Sequence, residues 1–224
     1  MQSDYDGRTV VLTGTSGALG AGLAAAFTAA GASVVGIDRA TPDAVAVVDG
    51  VRYETVDLTD DAQVGSLFDD IRTPWAVVHT VGGFAPQSPL AALDVGELDK
   101  QLTLNLVTSA LVTKHALRLL QPVGDGRIVL TASRAATVTK GVGFSYSVSK
   151  LAVLHLARMA AEEVAKTRIT VNAVVPSIID TPANRASMPD ANHDRWPKIP
   201  DIARTYLYLA SPAAGLVNGA ALPV

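Results

Sequence analysis

Tyr146 and Lys150 stand four residues apart at the head of a segment with helical periodicity, Phe144 to Lys166, so both side chains project from one face of a helix. A phenol beside an ammonium is suited to proton transfer near neutral pH, because the positive charge favours the phenolate and lowers a pKa that starts near 10. Ser133 lies thirteen residues before the tyrosine, at the end of an expected strand, and can present a hydroxyl to the same point. Any Tyr-x3-Lys pair is cheap to find by chance. Its meaning depends on the elements that position it.

Those elements alternate along the whole chain. Arg8 to Thr13 is short, β-branched and apolar, and a glycine-rich turn follows it, so it reads as a buried strand feeding a loop. Ala18 to Ala30 has a helical Ala/Leu/Phe pattern stopped at Gly31. Further strands are expected at Ser33 to Asp38, Val51 to Thr55, Trp75 to Thr80, Gly126 to Thr131, Arg168 to Val175 and Ala220 to Val224. Between them lie a helix capped by Thr59 or Asp60 and running to Ile71, a long helical stretch from Asp94 to Leu120, the Tyr146 helix, and one more helix before the last strand. Leu98, Leu102, Leu106, Leu111 and Leu119 supply apolar positions of the long stretch. This alternation predicts an α/β fold: a single-domain, doubly wound (Rossmann) fold over residues 1–224, with a seven-stranded parallel sheet and helices on both faces. Binding loops then gather at the carboxyl ends of the strands. The polar, proline-bearing segment at about 181–200 reads as a substrate loop.

The first such loop, Thr13-Gly14-Thr15-Ser16-Gly17-Ala18-Leu19-Gly20, sits between a first strand and a first helix, where a dinucleotide's pyrophosphate would lie. Glycines there let backbone N–H groups approach phosphate, and the helix dipole faces the charge. Gly14, Ser16, Ala18 and Leu19 are the expected contacts. Asp38, eighteen residues beyond Gly20 at the end of the second strand, would accept hydrogen bonds from ribose hydroxyls and repel a 2′-phosphate, which favours NAD(H) over NADP(H). The neighbouring Arg39 works the other way, since a guanidinium can recruit that phosphate.

Composition narrows the classes. With 49% hydrophobic residues, 17% charged and a net charge of -3, the chain reads as a compact soluble protein with no basic stripe for nucleic acid. It has no cysteine, which removes disulfides, thiolate zinc sites and Cys nucleophiles. The polar start at Met1 to Asp6 does not resemble a signal peptide, and no apolar run is long enough to cross a bilayer, so a cytoplasmic protein is expected. His115, His155 and His193 lack ligand spacing, so no metal site is expected.

The motifs together resemble the short-chain dehydrogenase/reductase family over essentially the full chain: the Thr13–Gly20 loop, Asp57, Thr80-Val81-Gly82, Asn105, Ser133, Tyr146-x3-Lys150, and Pro176 to Thr181. The resemblance implies that Tyr146 is the general acid/base, that Lys150 lowers its pKa and binds the nicotinamide ribose, that Ser133 orients the substrate carbonyl, and that Asn105 holds a water-linked proton relay. It further implies that Asp57 and Leu58 meet the adenine, that Thr80, Val81 and Gly82 meet the cofactor's middle, and that Pro176, Ile178, Ile179 and Thr181 meet the nicotinamide. A homodimer or homotetramer is expected on the same ground. The sequence departs from the family pattern at Ala18, where glycine is usual, and at His79 and Thr80, where asparagines are usual; His79 is read as a buried hydrogen-bonding partner. The loops Gly17 to Gly20, Gly82-Gly83-Phe84 and Asp180 to Trp196 are similar to those of dihydropteridine reductase-like members, which would imply a quinonoid pterin substrate. Those members dispense with the serine and asparagine kept here, so a carbonyl/alcohol substrate is preferred. A dinucleotide-binding sensor without catalysis is the further alternative. Met188 and Trp196 read equally as closing over an apolar substrate or as simple packing, and Arg185 as a solvated surface arginine in preference to one that holds an acidic group.

Overall fold

The computed structural model describes residues 4–40, 47–71, 73–84, 89–138 and 143–224; Met1, Gln2 and Ser3 of the polar start lie outside these. Seven parallel strands form one sheet: β1 (Thr9–Thr13), β2 (Ser33–Asp38), β3 (Arg52–Thr55), β4 (Ala76–His79), β5 (Asp125–Thr131), β6 (Arg168–Val175) and β7 (Ala221–Pro223), in spatial order β3-β2-β1-β4-β5-β6-β7. The order reverses between β1 and β4, which pair from Val10↔Ala76 to Thr13↔His79. A crevice therefore opens at their carboxyl ends.

The inner strands β1, β2, β4, β5 and β6 are buried on both faces because both faces are covered. Along β1 the side chains alternate: Val10 and Leu12 enter one buried cluster with Leu23, Phe27 and Tyr206, while Val11 enters the other with Phe68, Val112 and Leu120. The first cluster lies under α1 (Ala18–Ala29) and α7 (Ile199–Ala210). The second lies under α2 (Asp61–Ile71), α4 (Thr108–Val123) and α5 (Phe144–Glu163). Asp60 caps α2, its Oδ1 accepting from the N–H groups of Ala62 and Gln63 at 2.9 and 3.1 Å.

Two elements differ from the sequence expectation. The stretch expected as one helix from Asp94 to Leu120 is α3 (Val95–Gln101), a π-wound segment (Leu102–Val107) and α4. Its deeply buried stripe is Gln101, Asn105, Thr108, Ser109, Val112, Ala116 and Leu120, while Leu102, Leu106, Leu111 and Leu119 are half-buried on its flanks. The polar first half of that stripe has partners in the crevice, which a search for apolar periodicity does not register. The 181–200 segment also holds more than a loop: α6 (Pro182–Ser187), capped by the Thr181 side chain, and a turn of 3-10 helix at His193–Arg195.

Tyr206 ties α7 to the sheet, its buried hydroxyl 2.7 Å from Thr131 Oγ1, which also donates to the His79 carbonyl at 2.7 Å. Tyr206→Phe deletes one buried hydrogen bond without opening a large cavity and is expected to lower stability by about 1 kcal/mol, measured by urea unfolding.

Candidate active site

The glycine loop is shaped by crowding. Gly14 has φ of 82°, and a Cβ there would lie 2.5 Å from Thr80 Oγ1; a Cβ on Gly20 would lie 2.0 Å from the Gly14 carbonyl oxygen. Neither position admits a side chain. Gly17 is looser: it takes an extended conformation ahead of α1, and its added Cβ would meet Gly14 O at 3.4 Å. Ala18, the first residue of α1, is therefore accommodated, because the tight contacts fall on Gly14 and Gly20. A cleft of about 410 Å³ opens here, lined by Gly14, Gly17, Ala18, Leu19, Gly20 and Thr80 on one side and by Thr181, Pro182 and Ala183 on the other. No acidic side chain occupies the first turn of α1. The head of α1 therefore turns backbone N–H groups and the positive end of the helix dipole toward the cleft.

Asp38 closes the outer end of the loop. Its Oδ2 accepts from the Ser16 N–H at 2.9 Å and its Oδ1 from the Arg39 N–H at 2.7 Å, tethering the glycine loop to the end of β2. Asp57 is held below the usual carboxylate range by hydrogen bonds from the Thr59 N–H and hydroxyl at 2.9 and 2.7 Å, with the Arg39 charge adding to the effect. Leu58 is buried in the α2 side of the core, so only its backbone is left for contacts outside the protein.

The second half of the crevice is organised around Gly82. A Cβ on Gly82 would lie 2.7 Å from both Asn105 Oδ1 and Lys150 Nζ, so the two side chains converge on one point of backbone. Asn105 stands in the π-wound segment, completely buried. Its Oδ1 accepts from the Gly83 N–H at 3.0 Å, and its Nδ2 lies within reach of Gln101 Oε1, Ser149 Oγ and the Gly83 carbonyl. The widened turn lets a helical side chain hold a strand-end loop by both amide groups. Lys150 donates to the Thr131 carbonyl at 3.0 Å, and burial pushes its pKa down to about 8.

Tyr146 is half-buried and hydrogen-bonded to the Ser133 side chain; Ser133 Oγ also accepts from the Ala135 N–H at 3.2 Å. Burial raises the Tyr146 pKa, and the Ser133 bond opposes the rise. Desolvation of the phenol dominates this shift, and the Lys150 ammonium is bonded to the Thr131 carbonyl. The phenol is accordingly protonated at neutral pH, the state of a proton donor.

His79 is a structural clamp. Its Nδ1 lies 2.8 Å from Thr13 Oγ1 and its Nε2 3.2 Å from Thr108 Oγ1, joining β1, β4 and α4. Complete burial, with the Lys150 charge adding to it, lowers its pKa to about 3 and keeps it neutral.

On the α6 side, Thr80 Oγ1 donates to the Thr13 carbonyl at 2.7 Å, and the buried Pro176 accepts from the Arg134 N–H at 2.9 Å. Val81 packs on the core, Ile178 is exposed, and the Ile179 carbonyl accepts from Asn184 Nδ2 at 2.8 Å. Arg185, expected to be solvated alone, forms a bidentate pair with Asp180 at 2.5 and 2.9 Å, and Lys198 joins the same carboxylate at 3.1 Å. These bonds hold the Asp180 carboxyl far below its ordinary pKa. Sequence reasoning missed this clamp, which also includes a backbone bridge between Asp180 and Lys198. It also passed over Phe84 as a site residue; the ring meets that of Tyr146 edge-on, centroids 5.3 Å apart. Met188 and Trp196 are half-buried, and the Trp196 ring is tilted by 49° against that of His193, centroids 4.5 Å apart. Among the described residues no cluster of His, Asp or Glu could hold a metal ion, and no helix is long and apolar enough to cross a membrane.

The family model described as Enoyl-(Acyl carrier protein) reductase matches residues 14–224. The chain is 33% identical to cis-4-hydroxycyclohexanecarboxylate dehydrogenase of Sinomonas cyclohexanicum, across 97% of this chain and 94% of that one. It is 32% identical to galactitol 2-dehydrogenase of Rhizobium johnstonii, across 98% and 94%. A solved structure of a short-chain type dehydrogenase/reductase from Mycobacterium ulcerans superposes with a TM-score of 0.90 at 30% identity, covering 98% of this chain and 89% of that one.

Two outcomes follow from the crowding and the burial. Gly20→Ala should weaken NADH binding by about tenfold or more, whereas Gly17→Ala should stay within about twofold, as read by fluorescence titration. The Lys150 pKa lies near 8 in the folded protein against 10.5 when exposed. Between those values the unfolded chain binds the proton that the folded one has lost, so stability rises with pH across that window, by about 3 kcal/mol. Lys150→Met should abolish that rise in denaturation measured from pH 7 to pH 11.

Proposed function

The chain belongs to the short-chain dehydrogenase/reductase family, and on that premise we propose that it is an NAD(H)-dependent oxidoreductase acting reversibly on a carbonyl/alcohol substrate. The observation that carries this reading is the Tyr146–Ser133 hydrogen bond on the same helix whose Lys150 meets Asn105 at the backbone of Gly82. Two of the similar proteins are named as dehydrogenases, one of cis-4-hydroxycyclohexanecarboxylate and one of galactitol, and both names agree with the reaction class.

The crevice fits a dinucleotide. Gly14 and Gly20 form a cradle that a Cβ would fill, beside an open cleft at the head of α1. Gly14, Ser16, Ala18 and Leu19 would hold the pyrophosphate region, Asp38 and Arg39 the adenosine ribose, Asp57 and the Leu58 backbone the adenine, and Thr80, Val81 and Gly82 the middle. Pro176, Ile178, Ile179 and Thr181 would border the nicotinamide, and the 181–200 segment the substrate. The nicotinamide supplies or accepts the hydride. Asp38 has lone pairs left beyond the two that accept from Ser16 and Arg39, enough for two ribose hydroxyls, and its charge opposes a 2′-phosphate.

In the reducing direction Tyr146 Oη gives its proton to the substrate oxygen as negative charge builds there, and Ser133 Oγ hydrogen-bonds the same oxygen. Lys150 Nζ, bonded once to the Thr131 carbonyl, keeps donors for a ribose hydroxyl, and a pKa of about 8 lets it exchange a proton near neutral pH. Asn105 fixes the Gly83 backbone and lines the proton route toward Lys150. Because Ser133 and Asn105 are both engaged in this cluster, a ketone that needs polarising is preferred to a quinonoid pterin. A homodimer or homotetramer accords with exposed Leu151 and Met159 on α5.

Tyr146→Phe should bind NADH as the wild type does and lose turnover by about three orders of magnitude on a panel of ketones and alcohols. Wild-type rates in that variant would overturn the assignment, and silence of the wild type across a panel that includes quinonoid dihydropterin, with tight NADH binding, would favour a sensor. Asp38→Ala should narrow or reverse a wild-type preference for NADH over NADPH in equilibrium binding.

A further inference from the structure

We propose that Phe84 is a specificity-determining residue, forming an aromatic wall beside Tyr146 that selects substrates whose reacting carbon belongs to, or adjoins, an apolar ring. The proposal rests on the oxidoreductase reading above and names its substrate class.

Phe84 follows Gly82-Gly83 at the carboxyl end of β4 and is 73% exposed. A phenylalanine left so open forgoes most of the stabilisation its burial would bring. Its position is nonetheless set by the site. The preceding Gly83 is held at its N–H and carbonyl by Asn105, and a Cβ on Gly83 would lie 2.4 Å from Leu104 Cδ2. From that anchored backbone the ring reaches Tyr146 at 5.3 Å between centroids, with an interplanar angle of 71°. The edge-to-face contact is a favoured aromatic geometry and leaves most of the Phe84 surface open next to the phenol. Two more exposed apolar side chains belong to the same end of the sheet: Ile178, 44% exposed just after β6, and Phe144, 38% exposed at the start of the helix that carries Tyr146.

A substrate oxygen bonded to Tyr146 and Ser133 brings its carbon skeleton alongside this wall. An apolar ring covers the Phe84 surface and removes it from water, which is favourable. An acyclic polyol would turn hydroxyls toward a surface that offers them no hydrogen-bond partner, and would leave them desolvated and unpaired. The wall therefore discriminates on the skeleton next to the reacting carbon, while Tyr146 and Ser133 act on the oxygen common to both classes.

The test compares kcat/KM for cyclohexanone and for erythrulose in wild type, Phe84→Ala and Phe84→Tyr, each saturated with NADH. The ratio of the two values should favour cyclohexanone in the wild type, fall about tenfold in Phe84→Ala, chiefly through KM, and be restored in Phe84→Tyr. NADH affinity, titrated by fluorescence, should be the same in all three proteins. An unchanged ratio, or a loss that follows a change of oligomeric state in light scattering, overturns the proposal. Calorimetric binding of cyclohexanol to the NAD-saturated protein separates this idea from the one beneath it. Binding that depends on Phe84 in a protein that turns over no carbonyl overturns the oxidoreductase reading and leaves the wall standing. Turnover of both ketones with no dependence on Phe84 overturns the wall alone.

Discussion

The Lys150 ammonium is withdrawn from water, and much of the crevice is arranged around that fact. An isolated buried cation is strongly unfavourable, so it must be met by polar groups or lose its proton. Here the Thr131 carbonyl, at the very end of β5, meets it, and the lowered pKa records how incomplete the compensation is. The same charge acts on His79, which stays neutral and is free to serve as a double hydrogen-bonding clamp between Thr13 and Thr108. Thr131 in turn binds the His79 carbonyl and Tyr206, so the lysine's anchor is fixed from α7 on the opposite face of the sheet. One charge thus links both layers of helices to the strand ends.

The site is built from pieces that arrive from far apart in sequence and meet because parallel strands all end on one side. Gly14 leaves β1, Asp38 ends β2, Gly82 leaves β4 and Ser133 leaves β5, while Tyr146 and Lys150 come from the helix after β5. Crowding between these ends opposes a side chain at Gly14 and Gly82. The Gly14 position is filled by Thr80, and that of Gly82 by Asn105 and Lys150. The two halves of the crevice therefore fit around each other.

Much of this was legible in the chain. The β2 and β6 boundaries, Ser33–Asp38 and Arg168–Val175, are those expected from their β-branched runs, and the alternation of elements gave the seven-stranded parallel sheet. What escaped depends on partners remote in sequence. The π winding at Leu102–Val107 exists where Asn105 must reach Gly83 and Ser149, and no local pattern encodes that reach. Four-residue spacing reveals that Tyr146 and Lys150 share a helical face and says nothing of the burial that raises the Tyr146 pKa. The role of Arg185 was missed because its partner, Asp180, lies beyond the cap of its short helix, where spacing alone gives no hint of pairing.

The Asp180 clamp makes the segment that follows it a closed circuit. Asp180 and Lys198 are joined by a backbone bridge and an ion pair, so the chain departs from the core and returns to it through one doorway. The entropy of closing such a circuit depends only weakly on its contour, by about 0.6 kcal/mol for each doubling of length. Changes of length between Arg185 and Lys198, which leave the clamp residues in place, therefore carry only a small closure cost. The fold thereby carries a tethered cassette along one wall of the cleft at the head of α1, where Thr181, Pro182 and Ala183 face the glycine loop.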